Sequence, residues 1–183
     1  MKFVPRLTKP EAGNPYYNTK SNGGYNPCIV GNPTDKGCNV LANCVGYEVA
    51  RFNEEINAGK CKYLGSMNAY NMYDWAKRHG LPVGQTPKLG ACICFSGGSN
   101  GLGHLGNIEE LDKKNGNCSI SSSGYKSYTF KVQKNCNKSN NYGMSLKYKL
   151  QGFIYNPELE DNDPIEEALC YIEKAESILR SIK

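Results

Sequence analysis

From Cys44 onward the apolar residues follow a helical rhythm and then an alternating one. Val45, Val49, Phe52 and Ile56 recur at i, i+4, i+7 and i+11. That spacing predicts one amphipathic helix of about 14 residues. Asn43 is a good N-cap, which places Cys44 at the first helical position. A second helix is predicted over Ala69 to His79, with Ala69, Met72, Tyr73 and Ala76 on one face and Gly80 and Pro82 as stop signals. The period then changes. Gly90 to Phe95 (GACICF) reads as a short buried strand. His104 to Leu111 and Asn117 to Ser123 read as two strands joined across Asn115-Gly116, a strong hairpin signal. Ser127 to Val132 and Gln151 to Tyr155 are further strands. Helices followed by an antiparallel sheet predict an α+β fold.

The flanks follow other rules. Residues 1–38 are rich in Gly, Asn, Pro and Tyr, show neither period, and read as an irregular arm with turn signals at Asn22-Gly23 and Asn32-Pro33. At the other end, Asp163-Pro164-Ile165-Glu166 has the form of a helix start. Ile165, Ala168, Ile172, Ala175, Leu179 and Ile182 then follow with a heptad-like spacing. The chain is thus expected to divide into a main domain, 1–157, and an acidic linker with a C-terminal helix, 158–183.

Composition adds limits. At 183 residues, 39% hydrophobic and 21% charged, the chain suits one compact domain with an appendage. No apolar run approaches bilayer length, and MKFVPRLTKPEAG has no apolar core behind its basic residues, so neither a membrane span nor a signal peptide is expected. The net charge of +5 is uneven: residues 157–183 hold eight acidic and three basic groups, and the rest hold nine acidic against 19 basic. A basic domain is drawn to polyanions. Without a helix-turn-helix, RNA-binding or finger motif, nucleic acid is not an expected partner. Nine cysteines is an odd number. They allow four disulfides plus one reactive thiol, or mostly free buried thiols; with no export signal the second reading is preferred.

The candidate chemistry centres on Cys44. A helix N-terminus and a neighbouring imidazolium both favour a thiolate, and Cys44 has the first by position. The second must come from one of two histidines. His79, at a helix end beside Arg78, reads as a solvated residue favoured by the helix dipole. His104 follows the glycine-rich stretch SGGSNGLG and opens an apolar strand, so its ring can face a cleft. Cys92-x-Cys94 lacks a second Cys/His pair with ligand spacing and reads as core. The glycine-rich stretch lacks the Gly-Lys-Ser/Thr ending of a phosphate loop. DKKNGN, residues 112–117, lacks the alternating carboxylates of a calcium loop. No metal and no cofactor are expected.

Residues 43–53 (NCVGYEVARFN), 103–111 (GHLGNIEEL) and 151–157 (QGFIYNP), in that order and with GACICF between the first two, resemble the CHAP family, the cysteine, histidine-dependent amidohydrolases/peptidases of phage lysins and bacterial autolysins. The similarity spans roughly residues 28–157 and is nearest in flavour to lysins and tail-associated wall hydrolases of phages of clostridia. It implies a papain-like α+β fold with N-terminal helices packed on an antiparallel sheet. It also implies cleavage of peptidoglycan, between N-acetylmuramic acid and L-alanine or within the stem peptide or its crosslink. Cys44 would be the nucleophile and His104 the base. The resemblance further implies a site of action at the bacterial wall, reached from the host cytoplasm at lysis or from a virion tail. Tail proteins, or a second copy through the C-terminal helix, are candidate partners.

The chain departs from the family's pattern at the third position, a glutamate or asparagine that orients the histidine. Aligned on Tyr125, Ser122 stands there. Glu109 and Asn107 fall on the strand face opposite His104. The alternative implied by this departure is a degenerate CHAP fold kept as a non-catalytic wall-binding or structural tail module.

Overall fold

The computed structural model describes residues 3–11, 14–17, 43–58, 62–65, 67–124 and 130–159. The expected C-terminal helix, both turn signals of the arm and residues 127–129 of the expected fourth strand lie outside the described residues. Helix α1 (Cys44–Glu55) and helix α2 (Ala69–Arg78) precede β1 (Val83–Gly84), β2 (Cys92–Gly97), β3 (His104–Asp112), β4 (Asn117–Ser123), β5 (Phe130–Cys136) and β6 (Tyr148–Ile154). A 3-10 segment, Lys138–Gly143, joins β5 to β6. The strands form one six-stranded sheet in the order β1-β6-β2-β3-β4-β5, antiparallel throughout. The expected α+β class is what the chain adopts.

Helix α1 begins where its cap dictates. The Asn43 side chain accepts a hydrogen bond from the Gly46 amide at 2.6 Å, so Cys44 opens the helix. The predicted stripe of Val45, Val49, Phe52 and Ile56 is buried throughout. Val45, Val49 and Phe52 join Met72 and Ala76 of α2 and Cys92, Cys94, Leu105 and Ile154 of the sheet in one core. Each of the larger side chains contributes about 1.5–3 kcal/mol by leaving water. Ile93, Phe95, Ile108, Ile120 and Phe153 form a second core on the other face of the sheet, with Tyr142 of the 3-10 segment.

The opposite side of α1 is polar and just as buried, which its sequence pattern does not disclose: Glu48, Arg51, Asn53 and Glu55 are all under cover. Arg51 holds Glu109 of β3 with two hydrogen bonds, at 2.9 and 2.8 Å, and Glu54 at 3.0 Å. Ser121 of β4 donates to Glu109 and accepts from the Tyr47 hydroxyl, both at 2.6 Å. The start of the chain closes over this network. Arg6 pairs with Glu54, the Arg6 amide donates to Glu109, and the Val4 carbonyl accepts from Arg51.

The hairpin between β3 and β4 uses a four-residue turn, 113–116. Gly116 has φ +72°, its amide donates to the Asp112 carbonyl, and the Asp112 side chain receives the Lys114 amide and the Asn115 amide group. Strand β4 spans the predicted residues. Strand β6 begins at Tyr148, three residues before the predicted start, because Tyr148, Lys149 and Leu150 pair with Gly97, Ser96 and Phe95 of β2.

Candidate active site

Cys44 stands at the N-terminus of α1, half-buried, with its thiol free. Three backbone amides near its sulfur favour its charged form: that of Leu105 on β3, and those of Val45 and of Cys44 itself. The start of β3, where His104 lies, therefore abuts the start of the helix. Such a donor cluster favours negative charge at the sulfur or at an oxygen bonded next to it.

The protonation state differs from the expectation of a lowered thiol. Burial dominates, and it pushes the Cys44 thiol up to about 11 despite the amides, with Glu48 adding to the rise. Burial, with a smaller contribution from the Lys131 cation, pushes the His104 imidazole down to about 4. Both groups are neutral at pH 7. Between groups at about 11 and about 4, moving the proton without substrate costs on the order of 10 kcal/mol before the attraction of the resulting ions is counted. The geometry thus suits proton transfer coupled to attack on a bound substrate, not a standing thiolate–imidazolium pair.

His104 opens β3 opposite Phe95 of β2. Its ring lies edge-on to Tyr148 of β6, with centroids 6.1 Å apart. The loop before it is held by Gly103, at φ +76°, where a Cβ would strike the Phe95 carbonyl at 2.3 Å and the Tyr70 amide at 2.6 Å. The Tyr70 amide in turn donates to the Leu102 carbonyl at 3.1 Å, tying the loop to α2. Among the described residues, no hydrogen bond reaches the His104 ring, from Cys44 or from any other group.

Ser122 is 5% exposed on β4. The β3–β4 register sets Asn107 opposite Ser121, so Ser122 falls beside Gly106; a Cβ on Gly106 would meet that of Ser122 at 3.5 Å. Gly106 and His104 are two residues apart on one strand, so Ser122 shares the sheet face of His104. Glu109 and Asn107 lie on the other face, toward α1. Glu109 is engaged by Arg51 and Ser121, and Asn107 donates to Glu55 at 2.9 Å.

His79 sits exposed at the end of α2, stacked on Trp75 with its Nδ1 2.8 Å from the Trp75 carbonyl oxygen. Cys92 and Cys94 are buried with sulfurs 3.7 Å apart, and among the described residues no group of His, Cys, Asp or Glu could hold a metal ion.

Three neighbours of the site carry no motif. Tyr148 lies in the part of β6 that the strand pattern missed. Lys131, on β5, becomes a neighbour of His104 only through the strand register. Glu48 lies one helical turn beyond Cys44, fully buried, with no hydrogen-bond partner on either carboxylate oxygen. Burial and the nearby Glu55 and Glu109 push its carboxyl well above the usual range.

A family model described as the CHAP domain matches residues 33–125. No curated protein sequence matches the chain. Among solved structures, one of Ly7917 with the hydrolyzing product of MDP is similar at 16% identity and a TM-score of 0.38, covering 62% of this chain and 53% of that one. The chain thus spans about half the length of that protein.

Proposed function

The chain belongs to the CHAP domain family, and from that premise we propose that it is a peptidoglycan hydrolase that cuts an amide bond of the bacterial wall with Cys44 as nucleophile and His104 as general base. The observation that carries this reading is the Cys44 thiol, capped into the first position of α1 and met there by the amides of Cys44, Val45 and Leu105. As the sulfur attacks the amide carbonyl, its proton passes to the His104 ring, and the carbonyl oxygen takes the negative charge. The backbone amide of Cys44 at the helix start stabilises that oxyanion. His104 then protonates the departing amine, leaving a thioester on Cys44. A water that loses its proton to His104 releases the acid and restores the thiol.

Ser122, on the same face as the imidazole, is the proposed orienting group. Its hydroxyl can accept one hydrogen bond but stabilises an imidazolium less than a carboxylate does. Apo geometry without that bond is compatible with the role, since catalytic hydrogen bonds often tighten only around substrate. The motif order supports a setting in a phage lysin or virion tail lysin acting on the wall. The cut falls at the muramoyl–alanine amide or within the peptide.

Turbidity loss of purified walls tests the reading. Wild type is expected to clear them, and Cys44→Ala and Cys44→Ser to be inactive, because a serine hydroxyl ionises far less readily. His104→Ala should lose about 10²–10⁴-fold, and Ser122→Ala distinctly less. Robust lysis by Cys44→Ala would end the cysteine-hydrolase reading. Wall binding without lysis by any of these proteins would favour a non-catalytic wall-binding module.

A further inference from the structure

Lys131 is an exposed cation on the edge strand β5, and among the described residues no acid pairs with it. The β4–β5 register sets it directly opposite Ser122. Ser122 in turn lies beside Gly106, two residues from His104. Residues opposite each other on antiparallel strands share a face, as do residues two apart on one strand. One face of the sheet therefore carries His104, Gly106, Ser122 and Lys131 in a row that runs from the candidate base to solvent. Among the described residues, the other groups facing the ring are Tyr148 of β6 and Phe95 of β2, and the Cys44 thiol meets β3 one residue further on. Lys131 is the only fixed charge among these.

A lone cation in this place opposes the chemistry of the site, because it disfavours the imidazolium that must form when His104 takes a proton. An anion bound to Lys131 would cancel that effect when substrate arrives. We propose that Lys131 is a specificity residue that receives a free carboxylate of the stem peptide beside the amide being cut. This rests on the reading of the protein as a wall-peptide hydrolase and names the chemical class of its substrate: an acidic peptide with its carboxylate unamidated. The bound carboxylate both places the peptide and removes the penalty on protonating His104, so an anionic substrate assists its own cleavage.

Two synthetic muropeptides, identical except that one carries the free carboxylate and the other its amide, test the proposal on the full chain. Binding is read first with Cys44→Ala protein, which needs no turnover. The free acid should bind about two- to five-fold more tightly. Lys131→Met should bring the ratio to near one, and Lys131→Arg should keep it. In the active protein, Lys131→Met should move the acid limb of the kcat/KM profile to higher pH, a shift that a merely structural role would not produce. An unchanged ratio in Lys131→Met, no preference in the parent, or no binding of either peptide would overturn the proposal. A binding ratio that depends on Lys131 in a protein that never lyses walls would instead sink the catalytic reading and leave this one standing.

Discussion

Burial favours the protonated form of Glu48, one helical turn from Cys44, because ionising it would set a bare carboxylate between α1 and the sheet. Its carboxyl is raised from an ordinary value of 4.5, and that of Glu55 is pushed up to about 8, in both cases chiefly by burial. A carboxyl whose folded value lies above its unfolded one contributes stability that is fully present below about 4.5 and is lost as pH rises through the folded value. Thermal melts of Glu48→Gln against wild type should therefore coincide near pH 4.5 and separate as pH rises to 8, with the variant the more stable. Equal melting temperatures across that range would show that Glu48 is ionised or exposed in the folded protein. At this scale the sequence was uneven. Cys44 and His104 were legible because a cap, a glycine-rich turn and local motifs marked them. Glu48 was not, because a glutamate within an amphipathic stripe looks like a solvated one until the sheet closes over it. Lys131 was not, because cross-strand neighbours depend on register, which sequence spacing leaves open.

Helix α1 is held from two sides by different physics, and its apolar rhythm reports only one of them. Val45, Val49 and Phe52 could be read from their period, and Asn43 from its place before them. The far side reads as polar, a pattern that a solvated face would share. Instead, Arg51 spends its guanidinium on Glu109, Glu54 and the Val4 carbonyl. No local pattern predicts this, since Glu109 lies 58 residues away and pairs only once β3 is in the sheet. The expected alternation did place Glu109 opposite His104, and that face is the one α1 covers. A buried ion pair adds little over apolar packing, yet breaking it from one side strands a charge. Arg51→Met should cost about 3–5 kcal/mol in denaturant unfolding, while Arg51→Met with Glu109→Gln should cost less than Arg51→Met alone. If the double variant is the worse of the two, Arg51 acts through its other contacts and not through Glu109. Because α1 carries Cys44, the Arg51→Met protein should lose wall lysis in step with its folding, and recover it with the second substitution.

The whole molecule joins a basic domain to an acidic tail. The sequence placed their boundary at residue 157, where the last strand pattern ends and the acidic lead-in starts. Contacts with the rest of the fold continue through Leu159. Asn156 donates to the Phe52 carbonyl and to Glu55 beneath α1, Glu158 binds Lys62 and Tyr63, and Leu159 lies against Gly90 together with Phe3. These contacts are tertiary and leave no mark on periodicity. They tie the end of β6 to both helices' surroundings and to the start of the chain, so cutting at Pro157 would remove Leu159 from an apolar contact and Glu158 from a cation. A chain ending at Leu159 keeps every described contact and sheds most of the tail's negative charge. That truncation should fold with a melting temperature within a few degrees of the full chain and cleave soluble wall fragments at an unchanged rate. A chain ending at Pro157 should melt measurably lower. Without the acidic tail, the truncated domain is more basic and should bind intact, polyanionic walls more tightly at low salt, the gain fading as salt screens it over about 10 Å at 0.1 M. Failure of the Leu159 chain to fold would place the tail inside the catalytic unit. An unchanged salt dependence of wall binding would show that the charge asymmetry plays no part in reaching the wall.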